Sequence, residues 1–93
     1  MDDLEIIIHN AEVAVGQNRL EEALSFLDKP LLDSYADAVF LKGEIYFKLQ
    51  KWGEALNYFS LFLELFPTDV KADSYCIMIN DILGFYHKDL FNP

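Results

Sequence analysis

The chain has 93 residues, of which 53% are hydrophobic and 15% aromatic, so it is long enough to fold as one domain around a core. Sixteen acidic residues against seven basic ones give a net charge of −9, which disfavours nucleic acids and anionic membranes as partners. The same charge favours a neutral or basic protein partner, although acidity also serves solubility. No apolar run could span a bilayer, and the N-terminal residues are acidic where a signal peptide would be basic. We therefore expect a soluble, cytoplasmic protein.

The first part of the chain contains two predicted helices. Apolar residues between Leu4 and Val15 recur at three- and four-residue intervals, which is the spacing of a helix, and Gly16 is expected to end it. Asn18 followed by Glu21 has the spacing of a capping box, which predicts the start of a second helix. Lys29-Pro30 then cuts this helix short, because proline lacks the N–H that a helix interior requires.

The stretch from Ala36 to Asp69 reads as one complete helix–turn–helix unit. A connector in which Ser34 and Asp37 have the spacing of a cap leads into its first helix. A short polar turn separates this helix from a second one, and the two helices carry facing apolar stripes. Small residues stand where the two backbones would approach closely, with aromatic residues beside them. Five marker residues carry the pattern: Gly43, Tyr46, Ala55, Phe59 and Pro67.

These markers have the spacing G-x2-Y, A-x3-F and a following proline, which is the pattern of the tetratricopeptide repeat (TPR), a 34-residue helix pair. Residues 36–69 therefore resemble a TPR. Val39 and Lys42 depart from the pattern, since the family typically has tryptophan and leucine at these positions. The small residues that set the packing are unaffected by either departure.

Residues 4–35 resemble a second, degenerate repeat. They align with the central unit at an offset of 32 residues, and the aligned pairs include Ala11 with Gly43, and Ala23 with Ala55. The resemblance implies an all-α fold, with two antiparallel helix hairpins and a capping helix in a single domain over residues 1–93. Such a solenoid fragment would have five helices.

The fifth helix is predicted after the central unit. Thr68 is placed to cap it, and it is expected to run from about Asp69 to Phe85. Residues 70–93 lack the TPR markers and resemble the capping helix and tail that close many TPR arrays, with Leu90 and Phe91 folding back. Apolar residues surround more than one side of this helix, which indicates that something further covers it. The side expected to face the preceding hairpin carries Ala72, Tyr75, Cys76, Ile79, Ile82 and Leu83.

The sequence carries no constellation of residues that indicates catalysis. His9 and His87 lie at opposite ends of the chain, and Cys76, the single cysteine, stands in an apolar run where a buried thiol is expected. The four glycines are isolated, so no phosphate-binding loop is predicted. We expect a protein that is not an enzyme and that binds neither a cofactor nor a metal.

A binding groove is implied by the TPR resemblance, because the first helix of each hairpin lines a concave surface in that family. A peptide or helix of a neutral to basic partner protein is the expected ligand, and the chain would act as an adaptor or scaffold. The carboxylate clamp of Lys, Arg and Asn known in the family is not expected, since the equivalent positions are mostly acidic or aromatic. The groove residues implied are Glu5, Ile8, His9 and Glu12, then Asp37, Phe40, Leu41, Glu44, Phe47 and Lys48, and finally Lys71, Ser74, Tyr75 and Met78.

Two alternatives remain open from the sequence. The exposed apolar residues could instead build a homodimer, which would give the protein a structural role. Phe40 and Phe47 could also pack only against neighbouring helices, because aromatic residues at helical spacing commonly belong to a core.

Overall fold

The computed structural model describes residues 3–91, with side chains described for residues 3–84. Five α-helices follow one another: α1 (Asp3–Gly16), α2 (Leu20–Leu27), α3 (Ala36–Lys48), α4 (Trp52–Leu65) and α5 (Val70–Phe91). A short 3₁₀ helix, Pro30–Ser34, joins α2 to α3. The described residues contain no strand, and the prediction of an all-α fold with five helices is confirmed.

The turns that join α1 to α2 and α3 to α4 have the same backbone geometry. Asn18 and Gln50, 32 residues apart, both adopt the left-handed conformation, with φ of 60° and 61°. The next backbone N–H donates in both turns to the carbonyl five residues back, which is a bond of the Schellman motif. These hydrogen bonds join Arg19 to Ala14 at 2.8 Å and Lys51 to Tyr46 at 2.9 Å. The first turn therefore repeats the second at the offset noted in the sequence.

Helix α3 lies between two hydrophobic clusters and contributes to both. The first cluster joins α1, α2 and the 3₁₀ helix, and α3 adds Ala38, Leu41 and Ile45 to it. The second cluster is built from α4 and α5, and the α3 side chains packed against it are aromatic: Phe40, Tyr46 and Phe47. Because both sides of α3 are covered, this helix joins the two hairpins into one structure.

Contact between Gly43 and the ring of Phe59 closes the α3–α4 hairpin. Phe59 is fully buried, and a Cβ added to Gly43 would lie 2.9 Å from two atoms of the ring. The ring has little freedom to move, since Tyr75 stacks on it at 4.4 Å between centroids and Phe40 meets it edge-on at 5.3 Å. The sequence predicted Phe59 beside a close approach of small residues, and in the structure its ring fills the space that Gly43 leaves.

Lys42 is buried, although lysine is rarely found in a core. Its Nζ lies 3.2 Å from Oδ1 of Asp33 in the 3₁₀ helix, and 5.4 Å from the ring centroid of Tyr58. A buried ammonium is costly unless it is paired, so this contact ties the connector to α3 at the junction of the hairpins. Lys42, which stands where the repeat family typically has leucine, is thus paired with Asp33.

The predicted caps of α2 and α3 are wrong. Asn18 does not cap α2, because it occupies the left-handed position of the preceding turn, a conformation that asparagine tolerates. Arg19 stands at the N-cap instead and makes no capping bond through its side chain. Ser34 donates to the carbonyl of Leu31 within the 3₁₀ helix, which leaves Tyr35 at the N-cap of α3.

Helix α5 differs from its prediction at both ends. Asp69, rather than Thr68, caps it, since Oδ2 of Asp69 accepts a hydrogen bond of 2.8 Å from the backbone N–H of Ala72. The helix continues to Phe91 instead of ending near Phe85. Its packing against the hairpin follows the prediction for Ala72, Tyr75, Cys76, Ile79 and Leu83. The predicted return of Leu90 and Phe91 lies outside the described side chains.

Candidate functional site

A depression of about 450 Å³ lies along one face of α3. Four α3 residues line it at spacings of three and four, which places them on one side of the helix. Helices α1 and α5 supply its two sides, and α4 contributes to the floor. We call this depression the α3 groove; its lining residues are Glu12, Asp37, Phe40, Leu41, Glu44, Phe62, Asp69 and Lys71.

The α3 groove is acidic at its edges, with four carboxylates and one ammonium among its lining residues. Glu12 and Asp37 are exposed, and neither takes part in an ion pair within the described residues. One carboxylate oxygen of Asp69 already accepts a hydrogen bond, because this residue caps α5. The groove therefore offers unpaired negative charge on the side formed by α1 and the start of α3.

Glu44 is held in position by Tyr75. The hydroxyl of Tyr75 donates a hydrogen bond of 2.9 Å to Oε2 of Glu44, which links α5 to α3. Burial, followed by this bond and the charge of Glu44, raises the pKa of Tyr75 to about 12. The hydroxyl consequently stays protonated at neutral pH and continues to donate. The carboxylate of Glu44 is thus oriented by a residue of the second cluster.

The floor of the α3 groove is aromatic. Phe40 meets the rings of Phe59, Phe62 and Tyr75 edge-on, with centroids 5.3, 5.0 and 6.0 Å away. Such edge-to-face pairs each contribute about 0.5–1.5 kcal/mol beyond the burial of their surface area. Phe40 is nevertheless half-buried and lines the depression, so it serves both the core and the groove surface.

Lys71 lies at the α5 side of the groove and contacts two of its lining residues. Its Nζ is 3.6 Å from Oε2 of Glu44 and 5.2 Å from the ring centroid of Phe40. The side chain of Lys71 is 67% exposed, whereas that of Glu44 is 22% exposed. The lysine is therefore the most solvent-exposed member of this group, whereas the carboxylate and the ring are partly buried.

The structure brings together only part of the groove set inferred from the sequence. Glu12, Asp37, Phe40, Leu41, Glu44 and Lys71 line the α3 groove. Ile8 is buried in the first cluster, and Phe47 and Tyr75 are half-buried against the second. Glu5, His9, Lys48, Ser74 and Met78 are exposed but do not line the depression.

Two lining residues, Phe62 and Asp69, were missing from the inferred set. The family resemblance implies a groove lined by the first helix of each hairpin, whereas Phe62 belongs to the second helix. Because Phe62 follows Phe59 by three residues, the two lie on nearly the same face of the helix. This spacing could have indicated that Phe62 lies beside the groove. Asp69 lies between the helices, where the sequence pointed to Thr68 as the cap.

A smaller depression of about 210 Å³ lies at the junction of the hairpins. Leu24, Ser25, Asp28, Lys42, Tyr46 and Tyr58 line it. The Tyr46 and Tyr58 rings are stacked, with 5.6 Å between centroids, and burial is the main cause that raises the pKa of Tyr46. Since Lys42 is already paired with Asp33, this depression is a packing feature of the junction.

The described residues offer no arrangement for metal chemistry, since no three His, Cys, Asp or Glu side chains among them are grouped as metal ligands. Burial raises the pKa of the Cys76 thiol, which makes it less nucleophilic than an exposed cysteine.

Within the part of the chain that the structure describes, no helix has the length and apolar character of a bilayer span.

Comparison with protein families gives one match. Residues 36–69 match the family model described as tetratricopeptide repeat, over the same range that the marker residues indicate. Comparisons with curated proteins and with solved structures gave no match.

Proposed function

We propose that the chain, whose residues 36–69 match the tetratricopeptide repeat, is an adaptor that binds a segment of another protein in the α3 groove. Repeats of this type are generally protein-interaction modules, and the proposed role is binding rather than catalysis. The partner segment is a peptide or amphipathic helix that is neutral to basic. The proposal retains the cytoplasmic location expected from the sequence, and it includes neither a nucleic acid nor a membrane as partner.

The observation that carries the proposal is the pairing of an aromatic floor with unpaired carboxylates in the α3 groove. Phe40 and Phe62 offer apolar area to a partner, and burial of such area drives association. Glu12 and Asp37 offer charge that favours a basic segment and disfavours an acidic one. In helix-in-groove complexes, an amphipathic helix lays its apolar face into a hydrophobic groove of this kind.

We expect reversal of the two unpaired charges, in the Glu12→Lys/Asp37→Lys variant, to weaken binding of a basic peptide about tenfold or more. The probe is a fluorescent alanine-based helical peptide that carries leucine and arginine three and four residues apart, here called the Leu/Arg peptide. Its counterpart, the Leu/Glu peptide, carries glutamate in place of arginine. Fluorescence anisotropy at low salt measures both, and added salt should reduce the difference because it screens the charges.

The matched control is the Glu21→Lys/Glu54→Lys variant, which has the same net charge but changes exposed residues outside the α3 groove. This variant should bind the Leu/Arg peptide nearly as well as the original chain. Equal losses in the two variants would mean that only the overall charge acts. Equal binding of the Leu/Glu peptide by the original chain would contradict a groove selective for basic segments.

Self-association is a second candidate function, and exposed apolar residues favour it. Leu65, Phe66 and Val70, around the turn between α4 and α5, are 55%, 49% and 77% exposed. A homodimer formed through this patch would leave the α3 groove unused. Sedimentation of the original chain and of the Val70→Asp variant distinguishes the two functions: the adaptor function predicts a monomer in both cases, and the structural one predicts a dimer that the substitution dissociates.

A further inference from the structure

We propose that Lys71 occupies a cation site that an arginine of the partner segment takes when the partner binds. Lys71 and that arginine would then compete for the same site. This inference rests on the proposed function of the α3 groove and specifies its ligand. The ammonium of Lys71 lies between a carboxylate and an aromatic face, 3.6 Å from Glu44 Oε2 and 5.2 Å from the Phe40 centroid. The chain's own lysine therefore occupies a cation site.

The two walls of this cation site are fixed independently of Lys71. Tyr75 donates to Glu44 at 2.9 Å, and the same tyrosine ring stacks on the fully buried Phe59. Phe40 is held edge-on by Phe62 at 5.0 Å. Removal of the lysine side chain would leave both walls in place. A site that is built before its ligand arrives loses less conformational entropy on binding.

Lys71, by contrast, is held weakly. Its side chain is 67% exposed, and the 3.6 Å separation from Glu44 is longer than a hydrogen bond. Exposed ion pairs and exposed cation–π contacts each contribute little to stability, because water competes for the charge. A cation supplied by a partner can therefore displace Lys71 with a small loss.

The chemistry of the surrounding residues favours arginine as the displacing group. A guanidinium is planar, stacks on aromatic faces and has five N–H donors, so it can contact the Phe40 ring and more than one carboxylate. The α3 groove provides further carboxylates in Glu12 and Asp37, which have no ion pair within the described residues. An ammonium has a more compact charge and uses fewer of these acceptors.

The test measures binding of the Leu/Arg peptide to the Lys71→Gln variant. Loss of the competitor should tighten binding about three- to tenfold, as expected from two weak contacts released together. The matched control is Lys29→Gln, which makes the same change of net charge at an exposed position outside the groove. Glu44→Gln removes the charged wall while keeping a hydrogen-bond acceptor for Tyr75, and it should weaken binding of the same peptide.

A matched peptide with lysine in place of arginine should bind the Lys71→Gln variant more weakly than the Leu/Arg peptide does. Equal tightening by Lys71→Gln and Lys29→Gln would overturn the inference, because the effect would then be one of net charge alone. Weaker binding to the Lys71→Gln variant would overturn it as well, since lysine would then assist the partner. Absence of binding to every variant would instead refute the proposed function of the groove. Circular dichroism of each variant confirms that it is folded.

Discussion

Replacement of Phe59 by alanine is expected to lower the free energy of unfolding by about 3–5 kcal/mol. The ring is fully buried and contacts Gly43, Phe40 and Tyr75, so its removal leaves a cavity that three helices share. The free energy of unfolding of such domains is about 5–15 kcal/mol, so this substitution would remove a large part of it. Urea denaturation followed by circular dichroism measures the change.

The matched control for Phe59→Ala is Phe66→Ala. Phe66 stands at the end of the same helix, contacts the Phe62 ring at 5.0 Å and is 49% exposed. Its replacement should cost about 1 kcal/mol or less, because a half-exposed side chain leaves no closed cavity. Similar losses in the two variants would show that the second cluster is not organised around Phe59.

Replacement of Gly43 by alanine is expected to destabilise the protein by about 1–3 kcal/mol, although alanine is the better helix former. The added Cβ would lie 2.9 Å from the Phe59 ring, and Tyr75 and Phe40 prevent the ring from moving away. In the Phe59→Leu background the same change should cost less, because the side chain that it meets is smaller. This coupling identifies the contact itself as the cause.

The chain contains a control for the glycine substitution. Gly53 lies in the first turn of α4, and apart from its chain neighbours and the backbone of its own helix, nothing lies within 4 Å of the Cβ that alanine would add there. Gly53→Ala should therefore stabilise the protein by up to about 1 kcal/mol, through helix propensity alone. Equal effects of Gly43→Ala and Gly53→Ala in denaturant titrations would contradict the close helix approach.

The central hairpin could be predicted from the sequence because its determinants are local. Gly43 and Phe59 occur at a fixed spacing, and Pro67 closes the second helix, so short-range rules suffice. The helix caps were harder to predict from the sequence, because the same residue type is favoured at two different positions of a helix end. Asparagine favours both an N-cap and the left-handed end of a helix, and Asn18 takes the second.

Other features depend on contacts between residues that are distant in the sequence. The burial of Lys42 requires Asp33, which is supplied by a 3₁₀ helix that the sequence showed only as a connector. Helix α5 passes its predicted end because an isolated glycine, Gly84, lowers helix propensity without stopping a helix. In the α3 groove, the lysine between Glu44 and Phe40 results from the packing of α5 against the α3–α4 hairpin. No spacing along the chain encodes that juxtaposition.

We propose the α3 groove as the surface that receives a basic partner segment. The most direct test is a titration of the isotope-labelled chain with the Leu/Arg peptide, followed by the chemical shifts of its backbone amides. Binding in the α3 groove should produce the largest changes at Asp37, Phe40, Glu44 and Lys71, which line it. Changes concentrated instead at the exposed Leu61 and Leu65 of α4, with the amides of α3 unaffected, would contradict it.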